Sequence, residues 1–267
     1  MVVLLLNEPS RTNYDINFDL FGFPIRVHPA FFVMPLLLGG AFISRSTGNA
    51  GVNVLILISV FFVSILVHEL GHAFAFRYFG QHSRIVLYWM GGLAIPDSGG
   101  NPWSNMPRVS FSPEQQIIVS LAGPIFGFLL AIFLCAISIA LGGEFRLVDR
   151  GIFPIFIPDF PRDVNEAVQI FLKIGIWANI FFNILNLVPV YPLDGGQVAR
   201  QLFVMNDAWN GVRFSIYLSI AAGAIVALAS FASGDRFLGI FFAIMAWSNY
   251  TTLQSMGGGG GYGGRPW

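Results

Sequence analysis

Polar residues are sparse along this chain, and they fall at the ends of long apolar runs. A helix needs ~20 apolar residues to cross a bilayer. Six stretches come close to that: Pro29–Ile43, Val52–Phe79, Gln115–Leu141, Ala167–Leu187, Val212–Phe231 and Arg236–Leu253. The first is short and carries Pro35. Ahead of them, residues 14–27 alternate polar and apolar around a Gly turn, the period of a β-hairpin. Residues 84–97, RIVLYWMGGLAIPD, are apolar but too short to span, rich in β-formers and broken by Gly91-Gly92. They read as a membrane-associated hairpin or re-entrant segment. The expected fold class is therefore an α-helical polytopic membrane protein with about six transmembrane helices, a short N-terminal β-hairpin and this second β segment.

Composition agrees. Of 267 residues, 55% are hydrophobic and 10% charged, against about 25% charged in soluble domains. Net charge is zero, so no nucleic-acid partner is implied. The single cysteine, Cys135, lies in an apolar run and has no partner for a disulfide or a thiolate metal site. MVVLLLNEPSR lacks the basic leader and cleavage site of a signal peptide, so the first span is expected to act as an uncleaved anchor. The expected division is an N-terminal segment 1–27, a membrane domain 28–254 and a disordered Gly-rich tail 255–267. The longest polar connections are 98–114 and 142–166. Arg11, Arg26, Arg77, Arg84, Arg108, Arg200, Arg213 and Arg265 fall on the side of the N-terminus. Arg45, Arg146, Arg150, Arg162 and Arg236 fall on the other. The positive-inside rule then puts both termini in the cytoplasm of a multi-pass protein, expected in the cell membrane.

Against this background the second span stands out. Residues 63–76 read VSILVHELGHAFAF. Ionisable groups at membrane depth are costly and point to function. His68 and His72 are four apart and share a helix face. That spacing lets both imidazoles bind one zinc ion, with Glu69 beside it as general base. The bland alternative is that these groups pair with polar neighbours on other helices. Zinc needs a third protein ligand. His28 and His82 sit near span ends and read better as interfacial residues. Asp194, in NLVPVYPLDGGQVAR just after the fourth span, is the better candidate. At ~1.5 Å rise per residue, His68 lies ~24 Å along its span, roughly 6 Å from the inner edge of a ~30 Å core. The fourth span also emerges at that edge. Asp194 suits equally the N-cap of a following helix, and the two roles are compatible.

These residues resemble the site-two protease family of intramembrane zinc metalloproteases. HELGH at 68–72 matches the family's H-E-x-x-H, and residues 186–196, NLVPVYPLDGG, resemble its second motif. LYWMGGLA at 87–94 and SLAGPIFGF at 120–128 are similar to further family segments. The resemblance covers roughly residues 20–250. It implies one Zn2+ per chain held by His68, His72 and Asp194, with Glu69 activating water. Asn186 maps to the motif asparagine, an aid to substrate binding or oxyanion stabilisation, or else a polar helix end. The implied activity is endopeptidase cleavage in or near transmembrane segments of membrane-anchored proteins, in regulated intramembrane proteolysis. No PDZ or CBS domain is recognisable, so the chain reads as a minimal form.

Other features stay open at this level. Residues 85–95 are expected to clamp an unwound substrate strand, although Gly91-Gly92 also fits a tight turn. Gly123 and Gly127 read as a helix-packing G-x-x-x-G. Asn179 and Asn183, four apart on the fourth span, either face the site or bond between helices, and the helix–helix role is favoured. The rival function is a multipass metal or proton transporter using the same His/Glu/Asp cluster, although no inverted repeat supports it. A second rival is a catalytically dead scaffold, against which the retained glutamate and ligands argue.

Overall fold

The computed structural model describes residues 8–33, 35–36, 49–96, 111–149 and 154–257. The expected first span and the Gly-rich tail lie largely outside these residues, as does most of 98–114. The chain forms two compact units, residues 8–186 and 187–257.

In the first unit, β1 (Ile16–Leu20) and β2 (Phe23–Val27) form an antiparallel hairpin. A 3-10 turn, Pro29–Phe32, follows. Then comes the long helix α1 (Ala50–Tyr78), capped by the Asn49 side chain, which accepts from the Gly51 and Val52 amides. β3 (Ser83–Tyr88) and β4 (Gly91–Pro96) form the second hairpin. β2 pairs with β3 in parallel, through Ile25 with Ile85 and Val27 with Leu87. The two hairpins thus make one sheet in the order β1-β2-β3-β4. The helix carrying HELGH lies within the crossover between its two parallel strands, which ties the helix to the sheet.

The sheet's period-two pattern accounts for the core. Phe23, Ile25 and Val27 point to one face and join Ile85 and Leu87 against Leu57, Phe61 and Ile65 of α1. Arg26, between them on β2, points the other way. It donates to Asp15 and Glu8, and Arg84 of β3 donates to the same Glu8, at 2.8–2.9 Å. The Thr12 hydroxyl and the Arg26 guanidinium hold the Asp15 carboxyl down at about 2.

Helix α2 (Pro113–Ala140) opens with a Ser112–Gln115 capping box and Pro113 in its first turn, the sequence of a strong helix start. A two-stranded hairpin, β5 (Glu144–Asp149) and β6 (Pro154–Asp159), follows. Both strands lie within the stretch 142–166 read above as a polar connection. Pro154 and Pro158 interrupt the alternation of the second strand. Helix α3 (Glu166–Asn186) completes the unit.

The second unit contains α4 (Asp194–Asn206), α5 (Gly211–Ala232) and α6 (Arg236–Gly257). Among the described residues four helices, α1, α2, α3 and α5, are long and apolar enough to cross a membrane. The sixth expected span forms α6, whose Asn249, Thr251, Thr252 and Gln254 make its final turns more polar.

Candidate functional site

Helix periodicity sets the first unit's polar cluster. His68, Glu69 and His72 are 3%, 5% and 8% exposed on α1. His72 Nδ1 lies 2.7 Å from the Val119 carbonyl, which only accepts, so that ring carries its proton on Nδ1. His68 Nδ1 lies 2.8 Å from Asn183 Oδ1. The Asn183 amide is fixed in this sense because its Nδ2 donates to the Asn179 carbonyl. A neutral ring held in this way presents its Nε2 lone pair, and the two Nε2 atoms face each other at 3.2 Å. Two lone pairs at that distance repel unless a cation lies between them. With zinc–nitrogen bonds of ~2.0–2.1 Å, a tetrahedral edge measures about 3.3 Å. The imidazole pair fits a zinc ion in both spacing and tautomer.

Close packing of α2 completes this pocket. A Cβ on Gly71 would sit 2.8 Å from the Ala122 carbonyl carbon, so α1 and α2 cross backbone to backbone here. A Cβ on Gly123 would overlap His72 Nε2 and come 2.8 Å from His68 Nε2. A Cβ on Gly127 would overlap the Asn183 amide. The G-x-x-x-G read above as helix packing is thus also the floor under the imidazoles and the amide.

Glu69 is one residue, ~100° of helix, away from His68. Its side chain meets β4, where a Cβ on Gly92 would come 2.5 Å from Oε1 and 2.6 Å from Cδ. Only glycine lets the strand pass so near the carboxylate. Burial, together with the Glu69 charge, pushes the neighbouring Tyr88 hydroxyl up to about 12, so this phenol stays protonated. β4 is an end strand of its sheet.

Asn183 takes the less favoured of its two expected places and faces the site, against His68. Its spacing from Asn179, four residues, does echo that of the two histidines. Asn179 Nδ2 reaches Ser64 Oγ at 2.9 Å, so both asparagines bond across to α1, Asn179 to a serine and Asn183 to His68. His28 accepts from the Ala30 amide at 3.1 Å, as the N-cap of the 3-10 turn. His82 is exposed. Asn186 ends α3, and its Nδ2 donates to the Phe182 carbonyl one turn back, at 3.1 Å.

Asp194 belongs to the second unit, where it is buried in the first turn of α4. The preceding loop is held firmly. The Tyr191 amide donates to Ser219 Oγ of α5 at 3.0 Å, and Asn249 Nδ2 of α6 donates to the Tyr191 carbonyl at 2.6 Å. Gly195 and Gly196 pack directly on the backbone of Leu187, Val190 and Tyr191, with no room for a Cβ.

Comparison with known proteins adds a separate line. The profile of peptidase family M50 matches residues 56–229. A zinc metalloprotease of Methanocaldococcus jannaschii is 27% identical over 192 residues, 71% of this chain and 46% of that protein. The chain thus spans under half the length of this curated relative. A solved structure, the site-2 protease from Methanocaldococcus jannaschii, superposes with a TM-score of 0.54 at 20% identity, covering 90% of this chain and 95% of the other. The fold is shared.

Proposed function

Given that the chain belongs to peptidase family M50, we propose that it is a zinc-dependent intramembrane endopeptidase acting on membrane-anchored proteins. The observation that carries this reading is the His68–His72 pair, with Nε2 atoms 3.2 Å apart and both Nδ1 protons already committed. Asp194 is assigned as the third zinc ligand, on its place in the LDGG motif and the family membership. The chain is an integral membrane protein. Six spans, with both termini on the arginine-rich cytoplasmic side, belong to this reading.

Bound zinc would acidify a coordinated water and polarise a scissile carbonyl. The residues supply the rest. Glu69 takes the proton from the attacking water and returns it to the leaving amine. Asn186 is assigned to the substrate carbonyl or peptide. A transmembrane helix hides its carbonyls, so the substrate must unwind before it is cut. Strand β4, last in its sheet among the described residues, offers an extended strand its hydrogen bonds. At Gly92 β4 runs beside the Glu69 carboxylate, so a peptide added there passes the general base.

The test is cleavage of a single-span substrate co-reconstituted in liposomes, with and without a zinc chelator. Zinc-dependent cleavage is expected. Zinc flux across the same vesicles without cleavage would overturn the reading in favour of transport. In the same assay Leu93→Pro should lower cleavage at least ~10-fold with zinc content unchanged, since proline distorts the strand edge and removes a donor. Wild-type cleavage by a folded Leu93→Pro variant would rule out the β4 clamp.

A further inference from the structure

A histidine that binds zinc through Nε2 needs its other nitrogen held by an acceptor, which fixes the tautomer and the ring plane. The two rings here solve this differently. His72 uses a backbone carbonyl, Val119 O at 2.7 Å, which no side-chain substitution can remove. His68 relies on a side chain from another helix, Asn183 Oδ1 at 2.8 Å. We propose that Asn183 is the positioning residue that sets the tautomer and orientation of His68, and thereby the zinc affinity of the site. This inference rests on the assignment of His68 as a zinc ligand.

The surroundings are arranged around that one acceptor. An asparagine amide has two ends, and a flipped amide would point a donor at His68. The flip is prevented because Nδ2 donates to the Asn179 carbonyl one turn back. Asn179 is in turn anchored, through bonds from its Nδ2 to Ser64 Oγ at 2.9 Å and to the Gly175 carbonyl at 2.8 Å. Ser64 is on α1, one turn before His68, so the orienting chain starts and ends on the same helix. Gly127 of α2 provides the volume the amide occupies. Asn183 itself is 1% exposed, and bulk water does not substitute for its oxygen. A neutral amide also performs this task without placing another charge at membrane depth, where charge is costly.

The experiment measures zinc dissociation constants of detergent-purified protein by competition with a chromophoric chelator. Unfolding of the metal-free forms is followed in parallel. Asn183→Leu keeps the approximate volume and removes the acceptor; zinc binding should weaken about 10–100-fold. Asn183→Asp keeps an oxygen facing Nδ1 and should recover most of the affinity. Gly127→Ala leaves the amide chemistry intact but displaces it, and should weaken zinc binding in the same direction. The tautomer provides an independent readout. Nitrogen-15 imidazole spectra of the zinc-free protein should show His68 protonated at Nδ1 in the wild type, and mixed in Asn183→Leu. Unchanged zinc affinity in folded Asn183→Leu and Gly127→Ala, with only the unfolding temperature lowered, would make Asn183 a helix tie and overturn the proposal. His68→Ala separates the two levels. If it leaves zinc affinity intact, the ligand assignment itself fails. If it abolishes binding while Asn183→Leu does not alter it, only the positioning role fails.

Discussion

Replacing Glu69 with glutamine should lower peptide cleavage by about 10²–10⁴-fold, the range supplied by general acid–base catalysis, while zinc content stays unchanged. That loss equals roughly 3–5 kcal/mol of barrier. The two side chains have nearly the same shape, so the close contact with Gly92 on β4 is kept. The amide cannot take up a proton at neutral pH, so the water and the leaving amine lose their proton carrier. The helix bearing the residue is held by the β2–β3 crossover and by the close α1–α2 crossing at Gly71. No refolding is expected. Initial cleavage rates of the reconstituted variant, alongside its zinc content, make the comparison. Near wild-type turnover by Glu69→Gln would remove Glu69 from the chemistry.

The second large effect is expected at a residue with no functional group. Gly123→Ala should abolish tight zinc binding while leaving the helices in place. The added methyl lands on His72 Nε2 and within 2.8 Å of His68 Nε2, the position where both lone pairs converge. Withdrawal of helix α2 would give up its close Ala122–Gly71 backbone packing on α1. The imidazoles must turn instead, which breaks the Nδ1 bonds to Val119 and Asn183. Two orienting bonds lost together should exceed the about 10–100-fold cost of one. Gly223→Ala is the control. Its Cβ would meet the Ala246 methyl at 3.2 Å, within the second unit. Zinc retention by elemental analysis after a chelator wash, with circular dichroism for helix content, reads the result. Zinc affinity unchanged in Gly123→Ala would mean that zinc binds somewhere other than between these rings.

Much of this was legible in the sequence because lipid simplifies the code. Apolar runs mark helices, and α1, α2, α3 and α5 fall within a few residues of the expected stretches. An ionisable group in such a run carries information, and VHELGH pointed to the zinc chemistry of the family. Pairings between distant segments were not legible. Nothing local in residues 23–27 and 83–88 announces a parallel pair, since each strand already has a hairpin partner. The β5–β6 hairpin was hidden by Pro154, Pro158 and the charges at its ends. Gly92, Gly123 and Gly127 looked like turn and packing residues, because a missing side chain is informative only once its neighbour is known. Asn183 and Asn179 have the same chemistry and the same helix. Only the rotation of α3 against α1 gives one a histidine and the other a serine.

Zinc content of the detergent-purified protein is the most direct measurement, taken for wild type, His68→Ala and Asp194→Ala together. About one zinc per chain in the wild type, lost in both variants, is the predicted result, since the proposed site would then lack one of its three assigned protein ligands and hold the metal poorly. Folded wild type that holds no zinc and gains none on added metal, or Asp194→Ala that keeps its zinc, would contradict a single centre built from both motifs.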